Sequence, residues 1–260
     1  MLYDFQAGDS PLLVNVPHAG SDLPPEIAAR LTVEASALPD TDWHVHRLVD
    51  SAPRMGASLL CARQSRYVID LNRGRDDKPL YAGATTGLVP TETFDGASVY
   101  RDEAPAEAER RGRIKRFWQP YHDKLDETLE ALRRRHGFAV LFDVHSIRSS
   151  VPRLFDGRLP DLNLGTYEER SCSPDLQEIV AERLAAAEGF STVVNGRFKG
   201  GFITRHYGRP AEGVHALQIE IAQACYMDES SPRSFDPQAA RPLTDVLERL
   251  VVLLSQWHPA

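Results

Sequence analysis

The chain has 260 residues, 42% of them hydrophobic and 26% charged, ordinary usage for a globular protein and enough length for one packed domain over 1–260. A formal net charge of −7 and a pI near 5.7 weigh against nucleic acid as a partner, because phosphate contacts need a basic surface. No apolar run approaches the ~20 residues of a membrane span, and the N-terminus lacks the basic start and apolar stretch of a secretory signal. The three cysteines, Cys61, Cys172 and Cys225, are odd in number with no CxxC pair, which points to a reducing compartment, the cytoplasm.

In chain order, "PLLVNVP" (11–17) reads as a first buried strand ending at His18 and Gly20. "PPEIAARL" resembles a short helix, and "DWHVHRLVDSAPRMG" (42–56) carries apolar residues near helical spacing. "ASLLCAR" (57–63) and "RYVIDLN" (66–72) read as two further strands. The segment from Arg73 to Arg101 is rich in Gly, Thr, Pro and Asp; it reads as a long structured loop in which "TFDGASVYR" would suit a lid. From about Ala104 to His136 the pattern is a long helix, bent or split at Pro120 and ended by Gly137. Its arginine-rich patches alternate with acids, as solvated helix faces do. "AVLFDVH" follows as a strand, then a polar loop over 146–172. A helix over 173–189, "STVVNGRF", a strand over 215–226 and a closing helix over 240–257 complete the chain. Strands separated by helices predict an α/β sandwich around a mixed, mostly parallel sheet, in one domain.

Four apolar runs finish on reactive side chains: His18, Asn72 with Arg73, His145, and the run around Glu220. In open α/β sheets the binding crevice lies outside the carboxyl ends of the strands, so such groups converge from distant positions. Catalytic zinc commonly takes three protein ligands from histidine and carboxylate, leaving one position for water. His18 and His145 are the candidate imidazoles and Asp42 the candidate carboxylate, with Asp40 read as a helix cap and His44 and His46 as surface or supporting groups. Asp143 shares a strand face with His145 and is either a supporting acceptor or a ligand itself. Glu220, flanked by Leu217, Ile219 and Ile221, is costly to bury unpaired; it reads as either an arginine-paired carboxylate or a general base. Arg66 and Arg73 bracket "RYVIDLNR", where the guanidinium fork suits a carboxylate, and Asp70 is expected to orient one of them. "FKGGFITRHYG" adds Lys199, Arg205 and Tyr207 after Gly200 and Gly201, as an anion cradle or a simple turn.

"VNVPHAG", "DTDWHVHRL", "RYVIDLNR", "GLVPTETFDGASVYR", "PYH", "LFDVHS", "FKGGFITRHYG" and "HALQIEIAQACYM" occur in that order, and from about residue 10 to 230 the chain resembles the N-formylglutamate amidohydrolases. That family is similar to the zinc carboxypeptidase and aspartoacylase group, and the resemblance implies a three-layer, carboxypeptidase-like sandwich. It further implies His18 and His145 as ligands of a divalent metal, most simply Zn²⁺, Glu220 as base, and Asn72 and Arg73 as substrate contacts. The carboxypeptidase relatives take an acidic ligand from H-x-x-E, where this chain has Ser21, so the carboxylate comes from elsewhere, and Asp42 is the expected source. The implied reaction is hydrolysis of N-formyl-L-glutamate to formate and L-glutamate, the last step of histidine degradation, with Arg66 at the oxyanion and Arg73, Lys199 and Arg205 holding a dianionic substrate. The alternatives are deacylation of another N-acyl amino acid and a metal-containing protein that binds an acidic amino acid without turnover.

Overall fold

The computed structural model describes residues 1–79 and 85–259. Seven strands, β1 (Tyr3–Gln6), β2 (Leu12–Val16), β3 (Ser58–Ala62), β4 (Ala139–Ile147), β5 (Leu162–Gly165), β6 (Thr192–Val194) and β7 (Val214–Ala222), form one sheet in the order β1-β3-β2-β4-β7-β5-β6. The neighbours β3, β2, β4 and β7 run parallel, as do β5 and β6, while β1 and β5 pair antiparallel with β3 and β7. Every residue of β2, β4 and β7 is buried, as parallel strands must be when both faces are covered. The expected α/β sandwich with a mixed, mostly parallel sheet is thus the observed architecture.

The helices are α1 (Pro25–Ala28), α2 (Val33–Ser36), α3 (Val45–Leu48), α4 (Glu107–Arg113), α5 (Gln119–His136), α6 (Pro174–Ala185), α7 (Phe202–Tyr207) and α8 (Pro237–Gln256). Helices α5 and α7 pack on β2, β4 and β7, while α3 and α6 pack on α8, with α8 reaching β2, α3 reaching β4 and α6 reaching β6. Among the described residues no helix is long and apolar enough to cross a membrane.

Four local readings change. The long helix does not split at Pro120: the chain stays helical from Glu107 to His136, widened into a π turn over Ile114–Trp118 just ahead of the proline. That turn sets Trp118 under the site, its Nε1 donating to the Arg73 carbonyl at 2.9 Å. The segment 66–72 is buried but is not a strand; buried Arg113 donates to the Tyr67 and Val68 carbonyls at 3.2 and 3.0 Å, doing what a neighbouring strand would do. The polar loop over 146–172 contains β5, too short to read from alternation. Residues 42–56 form only α3 and a 3₁₀ turn over Ala52–Met55. The expected lid loop lies partly outside the described residues, at 80–84.

Candidate active site

The parallel strands deliver their carboxyl ends to one place. His18 stands two residues past β2, and its carbonyl accepts from the Asp42 N–H at 3.1 Å, which ties the segment before α3 to the strand end. His145 and Glu220 are register partners on β4 and β7, as are Asp143 and Gln218, so all four share one face. His18, Asp42 and His145 are buried and each offers a ligand atom within 4.8 Å of the others.

The ring nitrogens divide cleanly. His18 Nε2 lies 2.8 Å from Asp70 Oδ1 and His145 Nε2 lies 2.9 Å from Asp143 Oδ2. Each Nε2–H thus donates to a carboxylate, and each Nδ1 turns toward Asp42 Oδ2, at 3.9 Å for His18 and 3.1 Å for His145. A histidine whose second nitrogen is held by a carboxylate is the usual arrangement around a bound metal. Two such imidazoles and a buried carboxylate are a donor set suited to zinc or a related ion, so the residues present fit a divalent cation. Positive charge is already drawn to these donors: Arg66 Nη2 donates to His18 Nδ1 at 2.6 Å and to Asp42 Oδ1 at 2.8 Å.

The titration directions follow from this packing. Burial and Arg66 lower the His18 pKa, which keeps its Nδ1 lone pair available. Burial alone would do the same to His145, but the Asp143 and Asp42 carboxylates outweigh it and hold its pKa well above the usual value; a cation at Nδ1 would take the place of that proton. Burial opposes the Asp70 charge, yet attraction to His18 and Arg66 keeps its carboxyl far below the ordinary range. Glu220 goes the other way. Burial pushes it up to about 8, against the pull of His145 and with the push of Asp42, near where a general base is most useful.

These groups open onto a cleft whose walls include Asn72, Arg73, Phe94 and Gln218. Asn72 is held by its Oδ1, which accepts from the Ile203 N–H at 2.8 Å, and its Nδ2 lies 3.1 Å from His145 Nε2. Arg73 Nη2 donates to Thr85 Oγ1 at 2.6 Å, while its Nη1 is buried without a hydrogen-bond partner among the described residues. A buried donor in that condition at a cleft wall is a demand for an acceptor.

Lys199, Arg205 and Tyr207 do not line the cleft. Lys199 Nζ donates to Glu168 at 2.6 Å, the Arg205 guanidinium lies over the Tyr167 ring, and the Tyr207 hydroxyl bonds His122 at 2.9 Å. Gly200, at φ +108°, stands between Lys199 and α7, which carries Arg205 and Tyr207. The Gly201 N–H is not part of an anion cradle; it donates to Gln218 Oε1 at 2.7 Å. Asp40 does not cap α3, whose N-cap is His44, but accepts from Tyr67 and Phe94. Asp70 chiefly holds His18, with Arg66 Nη1 at 3.9 Å.

Gln218 and Arg197, which the sequence did not single out, are among the residues that line the cleft. Gln218 Nε2 donates to Glu220 Oε2 at 3.3 Å; strand periodicity two residues before Glu220 could have flagged it. Arg197 sits in the turn after β6, where no pattern marks it.

Two histidines and a glutamate at the ends of parallel strands, with an aspartate from the segment before α3, make a site in an α/β fold whose donors could hold a metal ion. The chain belongs to the N-formylglutamate amidohydrolase family, whose model matches residues 10–227. It is 50% identical to an N-formylglutamate deformylase of Pseudomonas putida over 97% of this chain and 95% of that one. It is 52% identical to one of Pseudomonas aeruginosa over 97% and 96%. A crystal structure of N-formylglutamate amidohydrolase from Ralstonia eutropha superposes with a TM-score of 0.83 at 29% identity, covering 97% of this chain and 98% of that one. A gene product of Agrobacterium tumefaciens shares the fold at a TM-score of 0.71 and 17% identity, over 98% and 96%.

Proposed function

We propose that the chain, as one catalytic domain, hydrolyses N-formyl-L-glutamate to formate and L-glutamate, with Zn²⁺ held by His18, Asp42 and His145. The observation that carries this reading is the buried donor triangle with Glu220 beside it, in a chain half identical to deformylases over nearly its whole length. The cation, when bound, supplies Lewis acidity toward the formyl carbonyl and the attacking water. Glu220 takes a proton from that water as its oxygen bonds to the formyl carbon. The same carboxyl then gives the proton to the amide nitrogen as the C–N bond breaks, releasing formate and the free amine. Gln218, through its donor on Oε2, aims the Glu220 carboxylate. Arg66, stacked over Phe94 with its guanidinium carbon 4.9 Å from the ring centroid, supplies donors to the developing oxyanion, and one such donor is typically worth about 10²–10³ in rate. Asn72 and the unpartnered Nη1 of Arg73 bind the α-carboxylate. The three free cysteines suit the cytoplasm.

The test is formate release from N-formyl-L-glutamate by purified protein, by chelator-treated protein and by the same protein with zinc restored. Activity lost with chelator and regained with zinc supports both reaction and cofactor. Full activity after metal removal refutes the metal's role, and no formate from folded, metal-loaded protein refutes the substrate.

A further inference from the structure

N-formyl-L-glutamate carries a second carboxylate two methylenes away from its α-carbon, and the expected partners for it, Lys199 and Arg205, face elsewhere. Three arginines line the cleft among the described residues: Arg66, Arg73 and Arg197. Arg66 is engaged with His18 and Asp42, and Arg73 stands beside Asn72. Arg197 belongs to a different wall. Its Nε donates to the Leu154 carbonyl at 2.8 Å, and Leu154, with Phe198, packs on a small apolar cluster around Phe94 and Ile147 that is separate from the main core. All four of these apolar residues also face the cleft.

We infer that Arg197 reads the substrate's side-chain carboxylate and sets the preference for a glutamyl over a neutral side chain. This assignment rests on the function proposed above and deepens it. The apolar wall suits two methylene groups, and Arg197 enters the same cleft with its Nε fixed on the Leu154 carbonyl. A guanidinium has five donors in a fixed fork that pairs with a carboxylate bidentately. Apolar surroundings strengthen that pairing relative to water. An amide in place of the carboxylate keeps the shape but loses the charge-assisted part, so the discrimination lives in this one contact. It also resolves how a chain of net charge −7 accepts a dianion: the cations are local to the cleft, not spread over the surface.

The test compares formate release from N-formyl-L-glutamate and N-formyl-L-glutamine by wild type, Arg197→Gln and Arg197→Lys, with thermal midpoints alongside. Arg197→Gln is expected to lower kcat/KM for the glutamate substrate about 10- to 100-fold, mainly through KM, and to leave the glutamine substrate within about threefold. Arg197→Lys keeps the charge without the fork and should recover part of the preference; it carries the test if Arg197→Gln does not fold. Equal proportional losses on both substrates, or no loss on either, overturn the assignment while leaving the reaction standing. A wild type that releases no formate from N-formyl-L-glutamate overturns the reaction and this assignment together.

Discussion

Asp143→Asn tests whether the candidate metal site depends on the groups behind its ligands. Asp143 is fully buried and accepts twice, from Asn15 Nδ2 at 2.7 Å and from His145 Nε2 at 2.9 Å. Asn15 cannot easily rearrange, because its own Oδ1 accepts from the Tyr121 hydroxyl at 2.6 Å. An asparagine at 143 has one acceptor oxygen and one NH₂ group. If the oxygen stays with Asn15, the NH₂ faces His145 Nε2, which must then accept, and the ring proton moves to Nδ1. That proton sits where a metal would bind. Removing such a supporting carboxylate typically weakens metal affinity about 10- to 100-fold, or about 1.4–2.7 kcal/mol. The change also replaces the charged acceptor that now serves two buried donors, which costs about 1–3 kcal/mol of stability as well. The assay is zinc affinity by competition with a chromophoric chelator near neutral pH, with urea unfolding of the metal-free protein beside it. A zinc affinity within about threefold of wild type, with stability reduced, would refute the reasoning and leave Asp143 as packing alone.

Glu220→Gln should abolish formate release while metal content by elemental analysis stays at the wild-type level; residual turnover within tenfold of wild type would remove Glu220 as the base. Gly201→Ala should cost about 10²-fold in kcat/KM, because the added Cβ would sit 2.3 Å from Asn72 Nδ2. The control is Gly112→Ala within α4, where nothing lies within 4 Å and steady-state kinetics should not change, while stability rises about 0.5–1 kcal/mol. Burial pushes the His122 pKa down to about 3 from its ordinary 6.5. With the folded value depressed, its stabilising contribution is complete above pH 6.5 and is lost as pH falls toward 3, because the unfolded chain then binds the extra proton. The full loss is up to about 5 kcal/mol, so urea midpoints should fall more steeply from pH 7 to 4 in wild type than in His122→Gln.

The sheet was legible because parallel core strands are written as short, continuous apolar runs, and those at 11–17, 57–63 and 215–226 all appear close to their expected bounds. The run at 66–72 looked the same and is not a strand, since its carbonyls are satisfied by Arg113 from a helix some forty residues on, a long-range event without local signature. The same division holds at the site. His18, His145 and Glu220 stood out as polar groups at strand ends, whereas Arg197 and Lys199 lie in the irregular turn after β6 and Arg205 in the short α7, where no periodicity tells which side chains meet the cleft. Between the two kinds lies the pairing of β4 with β7, which ties fold to chemistry most directly. Asp143 and His145 sit opposite Gln218 and Glu220, so one strand supplies a candidate ligand with its supporting carboxylate and the next supplies a candidate base with its orienting amide. Sliding β7 by one residue would carry Glu220 and Gln218 to the opposite face and bring Ile219 and Ile221 into the cleft. The hydrophobic residues between these polar ones therefore do more than fill the core: by enforcing register, Leu217, Ile219 and Ile221 decide that Glu220 meets His145.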